Sequence, residues 1–325
     1  MKPTYSVIVP IYNEIDCIDE LYARMTAVMD KMSEPWELVL VDDGSSDGST
    51  ERMEALAQQD PRIRAVFFAR NFGHQIAVTA GMDHAMGQAV IIIDADLQDP
   101  PEVIPELINR WKEGYEVVYA VREVREGETW FKKATASLFY SFIFKITDVK
   151  IPKNTGDFRL LDRKALDVLN SMREKDRYLR GMSAWVGFKQ IGIPYHRDAR
   201  YAGTTKYPLK KMIKLAWNAI TGFSYVPLQA ATYLGFIVAG ISILLIPVVI
   251  IVRLVSGSEL LGQATTLIST LFIGGVQLIC LGILGEYLGR IYDEVKNRPL
   301  YITRSVTRTL YDDPAAIQNS DEPSE

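Results

Sequence analysis

Residues 230–252 run for 23 positions without a charged side chain, and 260–285 form a second uncharged stretch of similar reach. A helix rises 1.5 Å per residue, so about 20 apolar residues cross a hydrocarbon core of roughly 30 Å. Two such stretches close together read as a helical membrane hairpin, about 228–253 and 262–285, rather than as a pair of core helices in a soluble protein. Pro247, inside the first stretch, removes a backbone donor, and partner helices must satisfy the carbonyl it frees. The loop 256–259 has no Lys or Arg. Lys206, Lys210, Lys211 and Lys214 precede the first stretch, and Arg290, Lys296, Arg298, Arg304 and Arg308 follow the second. The positive-inside rule then puts both termini in the cytoplasm. Arg253, at the far end of the first span, can snorkel to the interface. Gly274, Gly275, Gly282 and Gly289 give the second span a small-residue face, which predicts a homo-oligomer.

The rest of the 325 residues suffice for a complete domain core. A net charge of −4 argues against a nucleic-acid partner, because neutralising a phosphate backbone normally makes the domain basic. The N-terminus MKPTYSVIVPIYNE shows no secretory signal, so the first domain is expected in the cytoplasm. Cys17 and Cys280 are too few for a disulfide framework and read as plain buried thiols.

Upstream of the spans, β-branched runs at 5–9, 36–41, 63–68, 89–93 and 116–121 alternate with helical periodicity. That rhythm predicts an α/β fold with a mostly parallel, Rossmann-like sheet, and continuous apolar runs such as SVIVP and AVIIID suit strands buried on both faces. Two segments near 130–146 and 206–223 mix Lys with Trp, Phe, Tyr and Leu at helical spacing, the pattern of helices lying in the headgroup plane. The expected division is a catalytic domain at 1–225, the spans at 226–292 and a tail at 293–325, acidic and disordered towards its end.

The chemistry-bearing residues fall where strands end. PIYNE at 10–14, DDGSSDGS at 42–49 and DADLQDPPE at 94–102 each follow a predicted strand, so the three acidic turns should converge on the carboxyl edge of the sheet. Asp94 and Asp96, two apart, share a face. Paired carboxylates facing a diphosphate fit Mg²⁺ or Mn²⁺, hard cations that prefer oxygen ligands.

With these motifs the chain resembles the family-2 glycosyltransferases, and within them the polyprenyl-phosphate sugar transferases: the dolichol-phosphate mannose synthases and the bactoprenol glucosyltransferases of the GtrB type. The resemblance extends through RNFGHQ at 70–75, NTGDFRLLDR at 154–163, RYAGTTKYPLKK at 200–211 and GEYLGRIYDEVKNRP at 285–299. It implies a GT-A fold, inversion at the sugar carbon, and a divalent metal site of the DXD type. On the matching positions it implies that Pro10, Tyr12, Glu14 and Asp42, with Asp43, hold the nucleotide. Asp94 then lies beside the donor, Asp96 is the metal ligand and Gln98 sits near metal or diphosphate. Asp157 is implied as catalytic base, and Arg122, Arg125, Arg200, Tyr201, Thr205 and Lys206 as phosphate and acceptor contacts. The implied partners are a nucleotide sugar, UDP-linked by preference, a polyprenyl phosphate lipid and the bacterial inner membrane. UDP-glucose to undecaprenyl phosphate is the preferred reaction; UDP-GlcNAc, a modified UDP-sugar or GDP-mannose would leave much the same motifs.

Elementary chemistry agrees with these roles. Departure of a diphosphate builds negative charge that a divalent cation with Lys and Arg neutralises. A phosphate monoester acceptor has a second pKa near ~6 and is already mostly deprotonated at neutral pH, so Asp157 is expected to orient the acceptor more than to deprotonate it. His74 reads as a structural hydrogen-bonding residue, and Glu286 with Arg290 as an ion pair one helical turn apart. Three other functions are weighed. A processive polysaccharide synthase would carry Gln-x-x-Arg-Trp, but Leu107 stands in the Gln position before Arg110 and Trp111. A non-catalytic two-span scaffold would not need Asp94, Asp96 and Asp157 together, and two spans alone cannot enclose a headgroup as a flippase must.

Overall fold

The computed structural model describes residues 2–123, 152, 154–198, 224–256 and 260–312. Its contacts divide the chain into a unit built on a sheet and a unit carrying two long helices.

The sheet unit begins with the expected alternation. Strands β1 (Tyr5–Ile11), β2 (Trp36–Asp42), β3 (Ile63–Phe68) and β4 (Ala89–Ile92) are separated by helices α1 (Ile15–Met29), α2 (Ser49–Gln59) and α3 (His74–His84). Every residue of these four strands is buried, which is why their sequences are mainly apolar rather than alternating, with Ser6, Glu37 and Arg64 buried among them. In α1, Ile18, Leu21, Met25 and Met29 repeat at helical spacing and form the face turned to the core. Gly81 lets α3 press on β1, since a Cβ there would lie 2.2 Å from Ile8 Cγ2.

After β4 come α4 (Ile104–Lys112) and β5 (Val117–Arg122), then β6 (Thr155–Asp162), α5 (Arg163–Ser171), α6 (Leu179–Trp185) and β7 (Gln190–Tyr195). Asp162 caps α5 by accepting the Lys164 N–H at 2.9 Å. The order among the described residues is β7-β5-β6-β4-β1-β2-β3-β8. Strands β1 to β4 are mutually parallel, as are β5 and β7, while β6 runs antiparallel between β4 and β5. Strand β1 leads to β2 on one side and pairs with β4 on the other, so the switch point of the topology falls beside the end of β1.

Beyond the five expected strands stand β6, β7 and β8 (Thr303–Val306). The last lies within the segment read as a tail. It pairs antiparallel with β3, and the segment from Pro299 belongs to the sheet unit. Thr307 Oγ1 accepts the Ala65 N–H at 2.8 Å, Tyr301 stacks on Phe68 with ring centroids 5.1 Å apart, and Tyr301 Oη donates to Asp83 Oδ2 at 2.9 Å. Arg64, buried in β3, donates through Nη2 to Asp312 Oδ1 at 2.7 Å and to Thr309 Oγ1 at 3.0 Å. Without the C-terminal segment this guanidinium would lose these partners.

In the second unit, α7 (Val226–Ser256) and α8 (Leu260–Val295) run past the expected bounds of the spans. Helix α7 continues through Pro247. Val226–Val248 and Ile268–Val295 are long and apolar enough to cross a membrane, with only 6% and 0% of their residues buried within the chain. A core helix of a soluble protein would be mostly buried within its own chain, which these two are not. Tyr287 Oη donates to the Ser224 carbonyl at 2.8 Å, and Arg290 Nη2 lies 3.2 Å from Glu286 Oε1, the expected pair. Cys17 and Cys280 are both free thiols. The expected interfacial helices near 130–146 and 206–223 lie outside the described residues.

Truncating Asp312 leaves the buried Arg64 guanidinium short of its charged partner, which costs about 1–3 kcal/mol. Asp312→Ala is therefore expected to lower the unfolding midpoint of the sheet unit in detergent, as measured by thermal denaturation; an unchanged midpoint would show that the C-terminal return adds no stability.

Candidate active site

The loops after β1 and β2 are bonded to each other. Asn13 N donates to Ser45 Oγ at 3.0 Å, Glu14 N to Ser49 Oγ at 3.1 Å, Ile15 N to Asp47 Oδ2 at 3.1 Å, and Ser46 N to Asn13 Oδ1 at 2.8 Å. Asn13 can take its part because it adopts a left-handed φ of +55°, which Asn tolerates. Asp42 accepts Ser45 N at 2.9 Å and Thr50 Oγ1 at 2.6 Å. Asp43 turns the other way and accepts the N–H groups of Phe72 and Gly73 at the start of α3, at 2.6 and 3.0 Å. Burial raises the Asp43 carboxyl, with these N–H groups working against the rise. Gly44, at φ +72°, is required here, because a Cβ would lie 2.8 Å from the backbone of Arg70 and of Asn71.

Of the residues expected to hold a nucleotide, Asp42 and Asp43 are thus buried and bonded to protein groups, and Pro10 lies inside β1. Tyr12 is 41% exposed and Glu14 half-buried at the same edge. The acidic turn after β4 holds Asp94, Asp96, Gln98 and Asp99. Gln98 N donates to Asp96 Oδ1 at 3.2 Å, and Leu97 between them takes a left-handed φ of +58°, unusual for a branched side chain.

Asp157 joins this group through the sheet register. Ile92 pairs with Arg159 in the antiparallel β4–β6 ladder, so continuing the ladder by two residues sets Asp157 across from Asp94. The Asp157 carboxylate accepts Arg180 Nε at 2.8 Å, Gln75 Nε2 at 3.0 Å and His74 Nε2 at 3.2 Å. Burial pushes its pKa up, but Arg180 and His74 outweigh burial and hold it well below the usual carboxylate range. The expected structural role of His74 has a partner in this hydrogen bond. His74 Nε2 also lies 3.6 Å from Asp94 Oδ1. Burial alone would discharge His74, yet the Asp157 hydrogen bond and the field of Asp94 raise it to about 9. Asp94 is raised to about 6, first by burial; His74 opposes the rise, and Asp157, Asp99 and Asp96 add to it.

A second cluster borders the turn. The buried Asp99 accepts Tyr195 Oη through Oδ1, and Arg197 Nε approaches the same oxygen at 3.3 Å. Arg122, at the end of β5, donates from Nε to Tyr195 Oη at 3.3 Å, and its guanidinium lies over Gly156, where a Cβ would stand 2.6 Å from Nη2. Arg122 is therefore placed at the same edge as Asp157. Arg125, Arg200, Tyr201, Thr205 and Lys206 lie outside the described residues. Arg110 pairs with Glu113 at 3.1 Å, and Trp111 Nε1 donates to Asp162 Oδ2 at 2.8 Å, so the Arg-Trp dipeptide of α4 is engaged in packing.

The sequence reading missed Gln75, Arg180, Tyr195 and Arg197. Gln75 sat inside a quoted motif. The other three lie in or just after elements that periodicity did not resolve, Arg180 in α6, Tyr195 in β7 and Arg197 just beyond it, and only the fold brings them to the site.

Among the described residues no group of three or more His, Cys, Asp or Glu side chains is set to hold a metal ion. Asp94 Oδ1 and Asp99 Oδ2 are nonetheless buried without a hydrogen-bond donor. Orphaned carboxylate oxygens suit a hard divalent cation, and Mg²⁺-type ions take only one or two protein carboxylates when phosphates and water complete the shell.

The family model described as Glycosyl transferase family 2 matches residues 6–169. Over 300 residues the chain is 52% identical to the "uncharacterized glycosyltransferase YkcC" of Bacillus subtilis (strain 168), covering 92% of this chain and 93% of that protein. It is 43% identical over 303 residues to a bactoprenol glucosyl transferase of Shigella phage SfII, with 93% and 98% covered. It is 40% identical over 303 residues to a prophage bactoprenol glucosyl transferase homolog of Escherichia coli (strain K12), with 93% and 99% covered.

His74 has a folded pKa above its unfolded value, so the stability it confers is complete below about pH 6.5 and is lost as pH rises through about 9. The stability difference between wild type and His74→Gln, from thermal denaturation across that window, is expected to shrink with rising pH. A difference that stays constant would show that His74 is neutral throughout.

The chain belongs to glycosyl transferase family 2.

Proposed function

We propose that this glycosyltransferase moves a hexose, glucose from UDP-glucose by preference, onto polyprenyl phosphate at the cytoplasmic face of a bacterial membrane, with inversion at the sugar carbon. The convergence of Asp94, Asp157 and Arg122 on one sheet edge, in a chain with two membrane-length helices, is the observation that carries this reading. Similarity to bactoprenol glucosyl transferases over nearly the whole chain supports the lipid acceptor. A soluble sugar acceptor would leave the apolar helices without a purpose.

In this reading Tyr12 and Glu14 border the nucleotide pocket, and the buried Asp42 and Asp43 shape the loops that form it. Asp96, with Gln98 beside it, would hold Mg²⁺ or Mn²⁺ against the diphosphate, and the ion would neutralise charge on the leaving group. Arg122, held by Tyr195, faces the acceptor phosphate, which Arg recognises bidentately. Asp157 is a poor proton acceptor, since its carboxylate is saturated by donors and its pKa is depressed. The acceptor oxygen does not require one, because a phosphate monoester with a second pKa near ~6 arrives largely deprotonated.

The test incubates purified enzyme with undecaprenyl phosphate and a panel of radiolabelled nucleotide sugars, and follows label into the organic phase. Transfer from UDP-glucose, lost with EDTA and restored by Mg²⁺ or Mn²⁺, is expected; no transfer from any donor would overturn the reading. Asp96→Ala is expected to lose transfer. General-base catalysis is typically worth ~10² to 10⁴-fold, so Asp157→Asn retaining more than about a tenth of wild-type turnover would match a carboxylate that orients, and a complete loss with donor binding intact would restore the base role.

A further inference from the structure

Four charged side chains alternate in sign along the candidate site. Arg180 bonds Asp157, His74 bonds Asp157, and His74 faces Asp94, at 2.8, 3.2 and 3.6 Å. Three separate elements meet at the Asp157 carboxylate in β6: His74 and Gln75 open α3, and Arg180 lies in the first turn of α6. Gln75 ties them further. Its Nε2 donates to Asp157 Oδ2 at 3.0 Å while its Oε1 accepts the N–H of Leu179, the residue before Arg180, at 3.1 Å. Arg180 reaches both Asp157 oxygens, from Nε at 2.8 Å and from Nη2 at 3.3 Å, which sets the carboxylate's plane as well as its position. Asp94 stands at the other end of the chain of charges. Its Oδ1 is buried, accepts no hydrogen bond from the described residues and faces His74 Nε2 at 3.6 Å.

We propose that Arg180 is a positioning residue for the transfer reaction: through Asp157 it fixes the His74 imidazole against Asp94, and thereby sets how the Asp94 carboxylate faces the sugar donor. This rests on the glycosyl-transfer reading above and extends it to residues outside the acidic motifs. In this proposal Arg180 acts without contacting either substrate. Its effect passes through Asp157 and His74 in series, which separates it from a counter-ion needed only for folding. A counter-ion would stabilise β6 whatever stood at position 74.

A double-mutant cycle on the full-length enzyme makes the distinction. A full 1 Å misplacement of a catalytic group costs roughly 10²-fold, and Arg180→Lys and His74→Gln, which act through neighbouring groups and keep a polar side chain in place, are each expected to lower kcat by about 3- to 10-fold. The KM values for nucleotide sugar and for undecaprenyl phosphate should shift less than about threefold, because ground-state contacts are unchanged. Combining the substitutions should cost no more than the worse single one, since without His74 the path from Arg180 through Asp157 to Asp94 is already cut. Multiplicative losses would overturn the proposal, as would an Arg180→Lys defect that tracks a fallen unfolding midpoint. Gln75→Leu removes the bridge from Leu179 without removing a charge, and is expected to show the same non-additivity with His74→Gln; additivity in that cycle counts equally against the proposal. Failure of the wild type to transfer any sugar would sink the functional reading as a whole, whereas wild-type transfer with independent variants sinks the positioning role alone.

Discussion

A carboxylate almost wholly removed from water must be surrounded by donors or take up a proton. Asp157 meets that requirement with side chains that are all remote in sequence: His74 and Gln75 from α3, and Arg180 from α6. The charge therefore dictates the local architecture. Strand β6 must run antiparallel beside β4, so that its amino end reaches the edge where the parallel strands finish, and α6 must return over it to deliver Arg180. Arg159, two residues on and buried too, is held by the Gly156 carbonyl at 2.8 Å and by Ser183, and burial lowers its pKa to about 10. Ser183 belongs to α6 as well, so the same helix serves both buried charges of the strand.

The acidic turns, alike in sequence, divide into two kinds of work. Asp42, Asp43 and Asp47 are turned into the protein, where they bond loop to loop and cap the start of α3 and of α2. Asp94 instead keeps an oxygen that accepts no hydrogen bond from the described residues. The difference follows from surroundings: the loops after β1 and β2 lie side by side and supply each other's N–H groups. The turn after β4 borders β6, where continuing the ladder sets Asp157 across from Asp94.

The four parallel strands with their intervening helices, and β5 beyond them, were legible because they are mainly apolar runs, broken only at isolated positions such as Glu37 and Arg64, and each ends in a polar turn. Their edges were legible to within one or two residues. Strand β6 was not, since TGDFRLLD carries two charges that are buried only because other elements neutralise them, and no periodicity rule anticipates compensation from a distance. Strand β8 was hidden for a related reason: TRSV is exposed and polar, and it is held by its pairing with β3 and by contacts such as that of Arg64 with Asp312 across 248 positions of sequence. Asp94, Asp96 and Asp157 were identifiable from motifs, whereas Arg180 and Gln75 required the fold. A motif reports which groups carry charge, and the packing around them decides which are available for chemistry.

That division bears on what a phosphate acceptor asks of the site. A hydroxyl acceptor would need a base with a free lone pair, and Asp157, saturated by Arg180, Gln75 and His74, has the wrong environment for it. A phosphate monoester brings its own nucleophilic oxygen and, with it, negative charge that must approach a donor already bearing a diphosphate. The dominant demand then becomes electrostatic: cations have to be present at the edge without being neutralised into inert pairs. An alternating row of Arg180, Asp157, His74 and Asp94 achieves this by sharing Asp157 between two basic side chains, with the pKa of His74 raised while it still faces Asp94. Replacing the row by isolated ion pairs would hold the same net charge but leave each group free to rotate, and orientation is the property the reaction would lose first.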